Sequence, residues 1–103
     1  MSDKLVFLPE ARQDIAGAYS WYEGQDPGLG MDFVRCLEVA ILSIERHPRI
    51  YPVVHDNYRR ALVRRFPYAV FFEYDSGRIL IYAIFHSSQN PRKWHARLTE
   101  TKE

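Results

Sequence analysis

Four residues, Gln25-Asp26-Pro27-Gly28, separate two stretches that each carry apolar residues at helical spacing, and no other feature constrains the fold as tightly. Before the break, Ala11, Ile15, Ala18, Tyr19 and Tyr22 recur every three or four residues. After it, Phe33, Leu37, Ala40, Ile41 and Ile44 do the same. Pro and Gly end the first pattern, since one removes a backbone donor and the other favours a turn. Two helices with so short a connection must fold back as an antiparallel hairpin. Pro9 suits a first helical turn, where no N–H is needed, and Glu10 follows it. Pro48 stops the second helix, with Arg46 and His47 in a last turn whose carbonyls attract positive charge. Gly28-Leu29-Gly30 follows a helix, not a strand, so it reads as the flexible start of the second helix and not as a nucleotide-binding turn.

After Pro48 the period changes from helix to strand. Residues 58–65 form one expected strand, interrupted by Phe66-Pro67, and residues 68–74 form a second, rich in aromatics. Asp75-Ser76-Gly77 is a turn signal. Residues 79–85 are apolar on both faces, the mark of a central strand covered on both sides. With a short strand at 4–8 and a helix opened by Pro91 and running to 98, the order is β-α-α-β-β-β-α. This is an α+β fold in a single domain of residues 1–103: an N-terminal strand, a helical hairpin packed on a mostly antiparallel sheet, and a short C-terminal helix. Alternation places Val70, Phe72 and Tyr74 toward the hairpin and Phe71 away from it. It groups Ile79, Ile81, Ala83 and Phe85 on one face, and Leu80, Tyr82 and Ile84 on the other. The sheet thus has a second apolar face, which either the C-terminal helix or another protein must cover.

Composition excludes several classes. Cys36 is the only cysteine and cannot form an internal disulfide, which suits a reducing, cytoplasmic setting. Residues 5–8 are too short for a secretory signal core and 79–85 too short to span a bilayer, so no membrane role is expected. His47, His55, His86 and His95 lack the pairing that metal ligands show, so neither a metal nor a cofactor is expected. The net charge of +1 conceals an asymmetry: four basic against eight acidic residues up to Pro48, then nine against three from Arg49 to Leu98. The C-terminal half carries a positive field, which is either a solvated face or an attraction for an anionic partner.

Two segments carry a resemblance. Arg64-Arg65-Phe66-Pro67-Tyr68 leads into an aromatic strand, and a later strand ends in His86-Ser87-Ser88-Gln89-Asn90-Pro91-Arg92-Lys93-Trp94. Together with Ala11-x-x-Asp14-Ile15 and the aromatic stretch at 19–22, they resemble the plasmid-stabilisation branch of the RelE/ParE toxin superfamily over nearly the whole chain. The resemblance implies a toxin encoded beside an antitoxin that binds it in a hetero-oligomer. ParE-type members inhibit DNA gyrase, whereas RelE-type members cleave mRNA on the ribosome.

RelE-like members often carry an arginine after the strand tyrosine and another beyond the last strand. Here Ala69 follows Tyr68, and Ser87, Ser88 and Gln89 follow His86. These departures favour the ParE-type reading: a toxin with no catalytic residues and no direct nucleic-acid binding, neutralised by a ParD-type antitoxin and directed at DNA gyrase. A ribosome-dependent endoribonuclease using His86, Arg65 or His95, and a non-toxic antitoxin-binding module, are the alternatives. Target contacts are expected at Arg64, Arg65, His86, Arg92, Lys93 and Trp94. Antitoxin contacts are expected at Tyr19, Trp21, Tyr22, Phe33, Leu37, Phe71 and Tyr82, around an apolar groove between hairpin and sheet.

Overall fold

The computed structural model describes residues 4–87 and 91–101. Strand β1 (Lys4–Phe7) leads through Leu8 into helix α1 (Pro9–Gln25), with Pro9 in its first turn as the sequence requires. The chain reverses at 26–28, and α2 (Leu29–Arg46) packs back along α1. A 3-10 turn (Pro48–Ile50) leads to β2 (Val53–His55), β3 (Tyr58–Leu62), β4 (Tyr68–Asp75), β5 (Arg78–His86) and α3 (Pro91–Thr101). The five strands make one sheet in the order β1-β5-β4-β3-β2. All neighbours are antiparallel except β1 and β5, because the hairpin carries the chain across one face before it returns to the sheet.

The α+β architecture is the expected one, with one addition and one shortened strand. Strand β2 was not anticipated: three residues carry too little alternation to be seen, and pairing with β3 defines it. The strand expected over 58–65 stops at Leu62, and residues 64–67 bend, with Arg65 in a left-handed conformation at φ 71°. The 75–78 connection is the tight turn that Asp75-Ser76-Gly77 signals, with positive φ at Ser76 and Gly77.

A bulge corrects the expected alternation along β5. From Asp75↔Arg78 to Phe72↔Ile81 the register is regular, but the next pair is Phe71↔Ala83, which leaves Tyr82 as an extra residue. Facing the hairpin are Ile79, Ile81 and Ile84, together with Val70 and Phe72. On the opposite face Tyr82, Ala83 and Phe85 join Phe71. One inserted residue therefore separates Ala83 and Phe85 from Ile79 and Ile81, and Tyr82 from Ile84.

The main core lies between hairpin and sheet, around Phe33, Ile44, Phe72, Ile79 and Ile81, all fully buried. A smaller core occupies the second face. There Leu98 of α3 is fully buried against Tyr58, Ala69, Phe71 and Ala83, and the Tyr58 hydroxyl donates to the Leu98 carbonyl at 3.2 Å. Of the two covers the sequence allowed for this face, the C-terminal helix provides one. Burying a leucine contributes about 1.5–3 kcal/mol, the backbone entropy of ordering only one or two residues, so Leu98 alone does not hold the 11-residue helix in place.

Candidate partner-binding site

The turn between α1 and α2 is fixed from α1. The Glu23 carboxylate accepts hydrogen bonds from the backbone N–H of Gly28 at 2.9 Å and of Gly30 at 3.0 Å. These are donors at the start of α2 with no partner inside the helix, and a carboxylate there also meets the positive end of the helix dipole. Gly28 caps α2 at φ 92°. Gly30 is buried so close to α1 that an added Cβ would lie 2.8 Å from the Tyr19 carbonyl oxygen and 2.9 Å from Glu23 Oε1. The 28–30 segment, expected to be flexible, is therefore pinned on both sides.

With the hairpin fixed, an apolar groove opens along its flank. Phe7 of β1, Ile15 of α1 and Val34, Leu37, Ile41 and Leu42 of α2 line a cavity of about 490 Å³, and Glu38 and Glu45 stand at its rim. Leu42 is 47% exposed, so the groove reaches the surface. The α2 contributors fall at 34, 37, 38, 41, 42 and 45, one continuous helical flank beside the stripe that faces the sheet. Sequence reasoning noted the stripe and missed this flank. The signal was present, since Val34 and Leu42 are apolar residues outside the stripe. Phe7 could not be placed there without the fold.

The expected antitoxin contacts divide under this geometry. Trp21 is 58% exposed, and Tyr19 and Tyr82 are half-buried. Tyr22, Phe33 and Phe71 belong to the cores and not to a surface. Leu37 is almost wholly buried, though it forms part of the groove floor. Strong helical and strand periodicity marks residues that face inward, which is why these four stood out in the sequence.

The basic residues lie apart from the groove. In the strand expected over 58–65, Arg64 and Arg65 as neighbours would point to opposite faces; because the chain bends there, both line one hollow with Cys36 and Val39 on the other flank of α2. Arg65 also lies over the Phe66 ring at 5.8 Å. His86 is half-buried and meets Tyr68 edge-on at 5.2 Å. Arg60, Leu62, Ala69, Phe71 and Ser87 share a small hollow with it on the second sheet face. Arg92 and Lys93 are exposed on α3, whereas the side chains of Trp94 and His95 lie outside the described residues. Of the expected target contacts, Arg64 and Arg65 thus share one hollow and His86 lines another.

The two motif segments instead meet structurally. Tyr68 pairs with His86 across the β4–β5 ladder, and Ser87 N–H donates to the Pro67 carbonyl at 2.6 Å. Phe66 and Tyr68 pack with Tyr22 and Phe33, ring centroids 4.9–6.0 Å apart, so the Phe-Pro-Tyr segment clamps the sheet to the helical turn. Burial pushes the phenols of Tyr22 and Tyr68 above their usual 10.0, with the charge of Asp14 and the neighbouring Tyr22 adding to the effect at Tyr68. On the second face Tyr82 donates to Glu73 at 3.2 Å and packs edge-on against Tyr58 at 4.7 Å. Burial first, and then the Glu73 charge, raises both Tyr58 and Tyr82, the latter far above neutrality. All four phenols are neutral at physiological pH. Among the described residues no cluster of His, Cys, Asp and Glu could hold a metal, and no helix is long and apolar enough to cross a membrane.

The described fold is a helical hairpin on one face of a five-stranded sheet, with a C-terminal helix on the other. It is similar to the structure of a chromosomal ParDE toxin–antitoxin system from P. aeruginosa, with a TM-score of 0.73, 17% identity, and coverage of 82% of this chain and 95% of that one. It is also similar to the RelBE2 toxin–antitoxin complex from Mycobacterium tuberculosis, with a TM-score of 0.56, 18% identity, and coverage of 84% and 99%. Among curated proteins, none is similar enough in sequence to match. Residues 5–91 match the ParE toxin of the parDE type II toxin–antitoxin system, and the chain belongs to that family.

Proposed function

We propose that this chain is a toxin held inactive by a ParD-type antitoxin and acts, when released, by binding DNA gyrase without catalysing a reaction itself. The observation that carries the reading is the division of its surface. An apolar groove rimmed by Glu38 and Glu45 lies on one flank of α2, and the hollow lined by Arg64 and Arg65 on the other. An apolar groove along a helical hairpin suits the apolar face of an amphipathic segment, so the antitoxin occupies it. The basic bend of Arg64 and Arg65 is left to meet an acidic surface on the target.

The dispersal of the titratable groups supports a binding mechanism. Cleavage through a ribose 2′-hydroxyl needs a base and an acid within reach of one phosphate, together with cations to hold it. Here Arg65 and His86 line different hollows, and Tyr68, the phenol beside His86, is raised away from neutrality. The second reading, an endoribonuclease, has two observations in its favour: His86 shares a hollow with Arg60 on the second sheet face and another with Asp14 and Tyr68.

Induction in cells lacking the antitoxin, followed by pulse labelling, tests the proposal. It predicts early loss of DNA synthesis while translation continues, and inhibition of gyrase supercoiling by the purified chain. Early loss of translation, abolished by His86→Ala, would replace it with the endoribonuclease reading.

A further inference from the structure

Strand β5 is longer than the strand beside it. β1 pairs with Arg78 to Ile81, its last ladder contact being the Leu8 N–H on the Ile81 carbonyl, and then the chain turns away into α1. Beyond that point the edge of β5 presents backbone groups that no strand among the described residues receives, at the place where the Tyr82 bulge has shifted their direction. The Ile84 N–H is accepted by Asp14 Oδ2 of α1 at 3.0 Å. The same carboxylate is gripped by both terminal nitrogens of Arg97 from α3, at 2.9 and 3.3 Å. Arg97 also reaches toward the Tyr82 carbonyl at 3.5 Å and lies over the Phe85 ring at 5.2 Å. Both side chains of the pair are less than a fifth exposed. An acceptor for Ile84 and a donor aimed at Tyr82 are the two groups that one residue of a neighbouring strand would offer.

We propose that Asp14 and Arg97 form a latch, standing in for the strand that β5 lacks beyond Ile81 and thereby holding α3 over the second face of the sheet. The residue after Arg97 is Leu98, the buried anchor of α3. Breaking the ion pair frees the side chain that orients the carboxylate, unclasps the helix next to its anchor, and uncovers Tyr58, Phe71, Tyr82 and Phe85 together with the β5 edge. The charged pair makes this opening an electrostatic event. A lone charge left in so enclosed a site is strongly unfavourable, so the segment that carries it moves toward water. The proposal also gives Asp14 of the Ala-x-x-Asp-Ile segment a physical role that does not depend on the toxin reading.

Hydrogen exchange on the full chain tests it. Asp14→Asn keeps an acceptor for Ile84 but removes the charge, and Arg97→Gln removes the guanidinium from the other side. In both variants the amides of 92–101 are expected to lose about tenfold or more of their protection, with the Ile41 and Ile44 amides of α2 unchanged. The Ile84 amide should lose protection in Arg97→Gln as well, because Asp14 is no longer held against it. Leu98→Ala, which leaves the pair intact, should loosen 91–101 while sparing Ile84. Unchanged protection of 92–101 in both charge variants would overturn the latch, showing that Leu98 and Tyr58 suffice. Loss of protection spread equally into α2 would overturn it too, by making the pair an ordinary core contact.

Discussion

At the scale of single residues, the turn at 28–30 shows packing overruling propensity. Alanine is a better helix former than glycine by about 1 kcal/mol, so Gly30→Ala in α2 should be favourable on propensity alone. The Cβ would meet a backbone oxygen at 2.8 Å, and a backbone atom cannot swing aside as a side chain can. Gly30→Ala is therefore expected to lower unfolding free energy by about 1–3 kcal/mol in urea denaturation, the range for overpacking, despite the propensity gain. Glu23→Ala, which strands two helix-start donors, should cost about 1 kcal/mol in the same experiment. Arg65 presents the opposite case. It holds φ 71° without being glycine, so Arg65→Gly should leave stability unchanged or raise it by up to about 1 kcal/mol while removing the charge. If the basic bend meets the target, this variant inhibits gyrase less while being no less stable, which separates recognition from folding. None of these three roles was legible in the sequence. Glu23 read as one more polar residue, Gly30 as freedom and Arg65 as a strand residue, because each role depends on an atom of a neighbouring segment or on a backbone angle.

At the scale of elements, the hairpin and the β4–β5 pair were legible because their signals are local: a 3.6-residue stripe on each helix and two positive-φ positions in one turn. The faces of β5 were legible only as far as Tyr82, since a single inserted residue reverses the alternation from Ala83 onward and leaves no mark in composition. The Asp14–Arg97 pair spans 83 residues of sequence and was invisible for the same reason. The groove falls between these cases: its α2 flank can be read at 34, 37, 38, 41, 42 and 45, but its β1 wall cannot. This geometry selects the residue for testing partner binding. Leu42 is half exposed, so Leu42→Ala should change stability by less than about 1 kcal/mol. If an antitoxin segment packs on it, the same truncation costs about 1–3 kcal/mol of binding, or roughly five- to a hundredfold in Kd by calorimetry. Unchanged affinity would move the antitoxin away from this flank.

At the scale of the whole molecule, the two faces of the sheet respond to alkali together, because the tyrosines that seal each of them share one property. Tyr22 and Tyr68 lie on the hairpin side and Tyr58 and Tyr82 under α3, and burial raises all four above 10.0. Below pH 10 these phenols are neutral in both folded and unfolded chains and contribute no pH dependence. Above it the unfolded chain releases its phenolic protons while the folded chain retains them, so the unfolded state binds fewer protons and stability falls as pH rises. The stability these groups confer is thus fully present up to about pH 10 and is lost above it, as pH climbs toward the raised folded values. Urea midpoints measured in steps from pH 8 to 11.5 should be flat with respect to these groups at first and then decline. Tyr82 makes the largest single contribution to the decline, since burial and the Glu73 charge are joined there by hydrogen bonds to Glu73 and Tyr58 that hold the proton, whereas the hydrogen bond to Tyr82 acts the other way on Tyr58. Tyr82→Phe forfeits the hydrogen bond to Glu73 and lowers stability at pH 8, but the variant's alkaline decline should be shallower than that of the parent. Parallel curves for the two proteins would show that Tyr82 ionises as readily in the folded chain as in the unfolded one, and that α3 does not shield it from water.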